Sequence, residues 1–244
     1  MNLGHAMLDT VLITGSAKRG GAAIARVVHD RGYRVIVHSR KSSQAEARSL
    51  MAELNVKRAD SASLWIEDLS EQMATLPDFT NLVGVVANAS EYRHSDLSSP
   101  NALLMEDLRT HLLGHLEIIK HCKDALIHSH GAIVAICDIH TERPNKNYLN
   151  YNISKGALHM AVKALAAELA PDVRVNAVSP GALEWPITHS IETARQQEIL
   201  ASIPMQRVGT FEELAKAVCF LLFDATYTTG TTLMVDGGRS SFLA

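Results

Sequence analysis

Asp138, Tyr151 and Lys155 are residue types that can move a proton between them. Asp138 stands where an apolar run, residues 131–137 (GAIVAIC), ends; Tyr151 follows thirteen residues later and Lys155 four after that. A phenol ionises near pH ~10 and is a poor acid–base group at neutral pH. Residues four apart share one face of a helix. There a lysine ammonium stabilises phenolate and lowers its pKa, so that the tyrosine can exchange a proton with a bound molecule. A nearby carboxyl group can accept the hydroxyl proton or, when neutral, feed one toward it. The spacing alone decides little: a helix whose tyrosine packs and whose lysine is solvated carries the same pattern.

What raises the pattern above chance is the order of elements around it. Short apolar runs alternate with helical periodicity: TVLIT (10–14), RVIVHS (34–39), SLWI (63–66), LVGVVANAS (82–90), GAIVAIC, VRVNAVS (173–179) and TTLMVDGG (231–238) read as strands. Helical stretches lie between them, including residues 42–54, about 103–128 and about 148–170. Continuous apolar strands suit a parallel sheet covered on both faces. The expectation is an α/β fold, a Rossmann-type doubly wound parallel sheet flanked by helices, as one domain over residues 1–244. The polar stretch between Pro186 and Pro204 is either a lid over a site or a plain surface helix. The segment from Asp68 to Asn88 leaves little room for a third helix.

The first strand turns into its helix through TGSAKRGG (14–21). Gly15, Gly20 and Gly21 let the backbone bend sharply and approach a ligand, and the helix start suits a pyrophosphate. A tight turn without a ligand has the same composition. The second strand ends in His38-Ser39-Arg40-Lys41-Ser42, with no carboxylate for a ribose 2′-hydroxyl. These cations and hydroxyls, with Lys18 and Arg19, favour the 2′-phosphate of NADP(H) over NAD, against the alternative of a solvated basic loop. Asp68 is a candidate acceptor for the adenine amino group, and Asn88, Ala89 and Ser90 close the fourth strand at the same edge.

With TGSAKRGG, DL (68–69), NAS (88–90), YNISK (151–155), RVNAVSPG (174–181) and TGTTLMVDGG (229–238) in this order, the chain resembles the short-chain dehydrogenase/reductase family along its full length. The resemblance implies hydride transfer with a nicotinamide cofactor, and usually a homo-tetramer. It adds Leu69, Pro180 and Gly181 to the cofactor contacts and Leu183 to the substrate contacts. Two departures point to one branch. Asp138 stands where most members have serine, and Arg19 where most have glycine; both resemble pteridine and dihydromonapterin reductases. That branch implies pterin and pyrophosphate contacts for Arg19, cofactor or pterin hydrogen bonding for Ser90, and stacking over the pterin for Tyr92. His111 takes the position of the family's helix asparagine, which orders a relay water.

The expected function is therefore NADPH-dependent reduction of a dihydropterin by an Asp138–Tyr151–Lys155 group. A carbonyl reductase acting on a 3-oxoacyl thioester or other ketone is the alternative, and a non-catalytic NADP-binding scaffold is the alternative of another class. A net charge of −3 leaves no footprint for nucleic acid or an anionic membrane. MNLGHAMLDT has no signal character, and Cys122, Cys137 and Cys219 read as free thiols of a cytoplasmic protein. His111 and His115 share a helix face, but Leu112 stands where a zincin needs glutamate, so no metal is expected.

Overall fold

The computed structural model describes residues 9–185 and 192–241. Its strands are β1 (Thr10–Ile13), β2 (Arg34–Ser39), β3 (Ala62–Ile66), β4 (Leu82–Ala87), β5 (Ala132–Ile136), β6 (Arg174–Pro180) and β7 (Thr232–Val235). They form one parallel sheet in the order β3-β2-β1-β4-β5-β6-β7. The chain runs outward from β1 to β3, then returns to the other side of β1. That reversal opens a crevice at the C-terminal ends of β1 and β4, where such sheets bind ligands.

Alternation along β5 shows why these runs fold as strands covered on both faces. Ala132, Val134 and Ile136 pack into one core with Ile24 and Val28 of α1 (Arg19–Asp30), Leu50 of α2 (Gln44–Lys57) and Leu214 of α7 (Phe211–Cys219). Ile133, Ala135 and Cys137 pack into the other with Ile118 and Leu126 of α4 (Gly114–Ser129) and Leu158 and Val162 of α5 (Leu149–Leu169). Each large aliphatic side chain so buried contributes roughly 1.5–3 kcal/mol relative to exposure.

Several boundaries differ from the sequence expectation. β4 ends at Ala87 rather than residue 90, because the N–H groups of Asn88 and Ala89 turn to the Thr14 hydroxyl (2.8 and 3.0 Å). The helix expected at 103–128 is α3 (Asn101–Leu108), a π-turn over Arg109–Leu113, and then α4. At the start of α4 a β-carbon on Gly114 would lie 2.9 Å from that of Leu69, so the backbones approach closely there. No helix lies between β3 and β4, in keeping with the shortness of that segment. The stretch between Pro186 and Pro204 forms α6 (Thr193–Ala201), with none of its residues buried; residues 186–191 of the expected lid lie outside the described residues. Among the described residues no helix is long and apolar enough to cross a membrane.

Candidate active site

The glycine turn after β1 is built by its neighbours. Gly15 has φ +61°, and a β-carbon there would lie 2.8 Å from the Ala89 Cα, so the turn needs glycine twice over. Asn88 Nδ2 donates to the carbonyls of Thr14 (2.9 Å) and Gly15 (3.1 Å). His38 Nδ1 accepts from the Gly15 N–H (2.9 Å), which leaves Nε2 to donate to the Glu67 carbonyl (3.1 Å). Burial pushes the His38 pKa down to about 4. The histidine is therefore neutral, and it holds the turn while lining the cofactor crevice.

Along the crevice Gly15, Lys18, Arg19, Gly21, Ser39 and Arg40 come together. Asp68, Leu69, Asn88, Ala89 and Ser90 close the far wall. Lys41 and Ser42 are exposed and stand outside, while the adjacent Ser43 lines the crevice in their place. Arg40 meets Glu91 at 2.5 Å and Lys18 meets Glu46 at 2.7 Å. One Asp68 oxygen accepts from Ser70 N (3.0 Å) and Ser70 Oγ (2.7 Å). The Ser39 hydroxyl is buried and has no hydrogen-bond partner among the described residues. These residues fit a dinucleotide. The first turn of α1 carries no acidic residue to oppose a diphosphate, and a β-carbon on Gly21 would lie 2.7 Å from Asn88 Nδ2, so glycine is what lets the helix start pack this closely on the turn.

Arg19 joins this crevice to a second one. Its φ is +49°, a left-handed conformation that costs a non-glycine residue about 1–2 kcal/mol. The guanidinium lies over Phe211 (4.8 Å to the ring centroid) and donates to the Glu184 carbonyl (2.9 Å). Arg19, Tyr92, Asp138, Tyr151, Gly181 and Leu183 line the second crevice; Ser90 faces only the first. Pro180 ends β6 immediately before Gly181.

Asp138 caps a short 3₁₀ turn beyond β5. Its Oδ1 accepts from the His140 N–H (2.9 Å), and its Oδ2 accepts from the Tyr151 hydroxyl (2.7 Å). Tyr151 is 5% exposed, with Tyr92 edge-on at 4.7 Å and His111 edge-on at 5.7 Å. Lys155 is 2% exposed; its Nζ donates to the Ile136 carbonyl (2.8 Å) and lies 5.8 Å from the Tyr151 ring centroid. Burial, reinforced by Asp138, raises the Tyr151 pKa well above 10, and burial lowers that of Lys155. This reverses the expectation that Lys155 lowers the phenol: at this distance it does not offset desolvation and a carboxylate in direct contact. The sign is testable without turnover. An ultraviolet titration of the cofactor-free protein should be the same for wild type and Tyr151→Phe up to about pH 10, since a raised pKa keeps the hydroxyl protonated there. A phenolate signal near neutrality that Tyr151→Phe removes would contradict it.

His111 lies in the π-turn and is fully engaged. Its Nε2 accepts from the Glu91 N–H (2.8 Å), with the Ser90 hydroxyl at 3.2 Å. Nδ1 therefore donates to Ser154 Oγ (2.7 Å), which donates to the Tyr151 carbonyl (2.9 Å). Burial, with Lys155 and His115 nearby, pushes its pKa down to about 2. His115 donates from Nδ1 to the His111 carbonyl (3.0 Å) and meets Thr14 Oγ1 through Nε2 (3.0 Å). Both rings brace the β1–β4 edge. Tyr92 is half exposed, but Tyr148 stacks on one face of it at 4.2 Å and its hydroxyl accepts from Asn145 Nδ2 (2.8 Å).

A family model described as enoyl-(acyl carrier protein) reductase matches residues 15–240, nearly the whole sheet and both crevices. The chain belongs to the short-chain dehydrogenase/reductase family. Its relatives include the 3-oxoacyl-[acyl-carrier-protein] reductase FabG of Aggregatibacter actinomycetemcomitans, 35% identical over 246 residues (95% of this chain, 99% of that one). The oxidoreductase YmfI of Bacillus subtilis is 32% identical over 240 residues (95% and 99%). Carbonyl reductase family member 4 of Danio rerio is 29% identical over 237 residues (95% and 98%). Members of this family are oxidoreductases with nicotinamide cofactors, and the first crevice has the donors for one. Sequence reasoning missed Glu91, Phe211, Trp185 and Arg239, which line the crevices from loops and a helix start. A signal existed only for Arg239, which directly follows the DGG turn at the ligand edge of the sheet.

Proposed function

We propose that this reductase uses NADPH to reduce a dihydropterin to its tetrahydro form. The observation that carries the reading is the Tyr151 hydroxyl donating to Asp138 at 2.7 Å. Tyrosine has one O–H, so once it is engaged the pair offers a bound molecule acceptors only. A pterin presents amino and ring N–H donors that match. A ketone oxygen gains negative charge as it is reduced and needs donors, which a carboxylate opposes. Bound NADPH would supply the hydride, to the ring carbon beside N5. Asp138 and Tyr151 orient the pterin, and the proton that N5 gains comes from solvent, passed on through this pair. The Tyr92–Tyr148 stack and the Arg19–Phe211 pair form the walls.

Preference for the 2′-phosphate rests on the missing carboxylate at the end of β2 and on Arg40, which would exchange Glu91 for the phosphate. A charge-assisted hydrogen bond is worth roughly 1.5–3 kcal/mol, or roughly 10- to 100-fold in affinity. Arg40→Ala should weaken NADPH by that factor and leave NADH unchanged; equal loss for both would remove the residue from 2′-phosphate recognition. Exposed Ile153 and Met160 on α5 support pairing with a second copy about a twofold axis.

The names of the FabG and carbonyl reductase relatives favour a second reading, reduction of a 3-oxoacyl thioester. One assay separates the two. Purified protein with NADPH is offered dihydromonapterin, dihydrobiopterin, dihydrofolate and an acetoacetyl thioester. Turnover of a pterin is expected, and brisk turnover of the thioester with none of the pterins would sink the proposal.

A further inference from the structure

Arg239 enters the second crevice from the turn after β7, and neither the Asp138–Tyr151–Lys155 group nor the cofactor crevice uses it. Its backbone is clamped. Asp236 accepts from the N–H groups of Gly238 (2.9 Å) and Ser240 (2.6 Å), and Arg143 donates to the Arg239 carbonyl (3.2 Å). The side chain is anchored too, because Nε donates to Ser202 Oγ (3.0 Å) at the end of α6. Among the described residues its two terminal nitrogens have no hydrogen-bond or ion-pair partner. A guanidinium with a fixed stem and a free fork fits the bidentate geometry of a carboxylate. Of the charged groups that act on it, Arg195 is a like charge, Asp138 already accepts from Tyr151 and His140, and Asp236 already accepts from the Gly238 and Ser240 N–H groups.

We infer that Arg239 is a specificity residue that receives an anionic substituent, a carboxylate-bearing tail, on the molecule being reduced. The inference rests on the pterin reading above, and it narrows that reading toward dihydropterins with an acidic side chain. The anion lies outside the reacting ring, so the contact acts on binding and not on the chemical step.

The test compares dihydrofolate, whose tail carries carboxylates, with dihydromonapterin, whose side chain is uncharged. Arg239→Gln keeps a donor for Ser202 and removes the charge; Arg239→Lys keeps the charge and loses the fork. For Arg239→Gln, KM for dihydrofolate should rise about tenfold or more, the scale of a lost charge-assisted hydrogen bond, with kcat held within about twofold. KM for dihydromonapterin should not change, and Arg239→Lys should recover part of the loss. Equal losses on both substrates, or a fall in kcat for both, would mean that Arg239 acts on Asp138 or on folding, and would overturn the inference. A second readout needs neither turnover nor a pterin. Trp185 lines the same crevice, so its fluorescence can follow binding of 4-aminobenzoylglutamate and of its uncharged diamide. Wild type should prefer the acid and Arg239→Gln should not discriminate; no preference in wild type overturns the inference. If wild type reduces neither pterin, the proposed function fails, and this titration still decides the role of Arg239.

Discussion

Tyr151→Phe is expected to lower turnover by about 10²–10⁴, the usual contribution of a positioned acid–base group. The substitution removes one oxygen from a ring held by its neighbours, so its effect reports chemistry more than packing. Tyr92 and His111 contact the ring edge-on, and α5 carries it into the core. Without the hydroxyl, Asp138 keeps only the His140 N–H and loses the group that fixes its second oxygen. NADPH affinity, measured by nucleotide fluorescence, should stay close to wild type, because the first crevice does not include Tyr151. A variant that keeps more than a tenth of its activity would show that the hydroxyl only orients substrate.

Asp138→Ser is the second large effect, and it separates substrates. Serine brings a hydroxyl donor to the end of β5 and frees the Tyr151 proton, so donors replace acceptors at the reacting position. Pterin reduction should fall about tenfold or more, while reduction of an acetoacetyl thioester or a small ketone should rise from its wild-type level. The serine hydroxyl can also accept from the His140 N–H, which limits disturbance of the 3₁₀ turn. Unchanged pterin turnover would make the carboxylate structural, and loss of both activities would point to a collapsed turn.

The fold was legible because seven apolar runs of strand length were separated by helical periodicity, and parallel strands covered on both faces leave that trace. The site residues were legible in type, since a sheet of this order gathers the ends of β1, β2, β4 and β5. Their states were less so. The spacing of Tyr151 and Lys155 puts them on one helix face, but it says nothing of depth, and depth decides the sign of the tyrosine shift. His38 shows the same gap in a recoverable form. It shares strand parity with Ile36, which points into the α4–α5 core, so alternation alone would have marked its ring as a buried, neutral part of the crevice it lines. Phe211 gave no comparable warning, because it meets Arg19 and Glu184 from distant segments whose paths no periodicity records.

The left-handed backbone at Arg19 has a thermodynamic meaning as well as a steric one. One residue serves both crevices, so a nucleotide that settles its side chain also settles part of the wall that the second reactant meets. Binding free energies coupled through one group are coupled equally in both directions. A pterin analogue should therefore tighten the hold on the nucleotide by the factor by which the nucleotide tightens the hold on the analogue, and Arg19→Gly should uncouple the two.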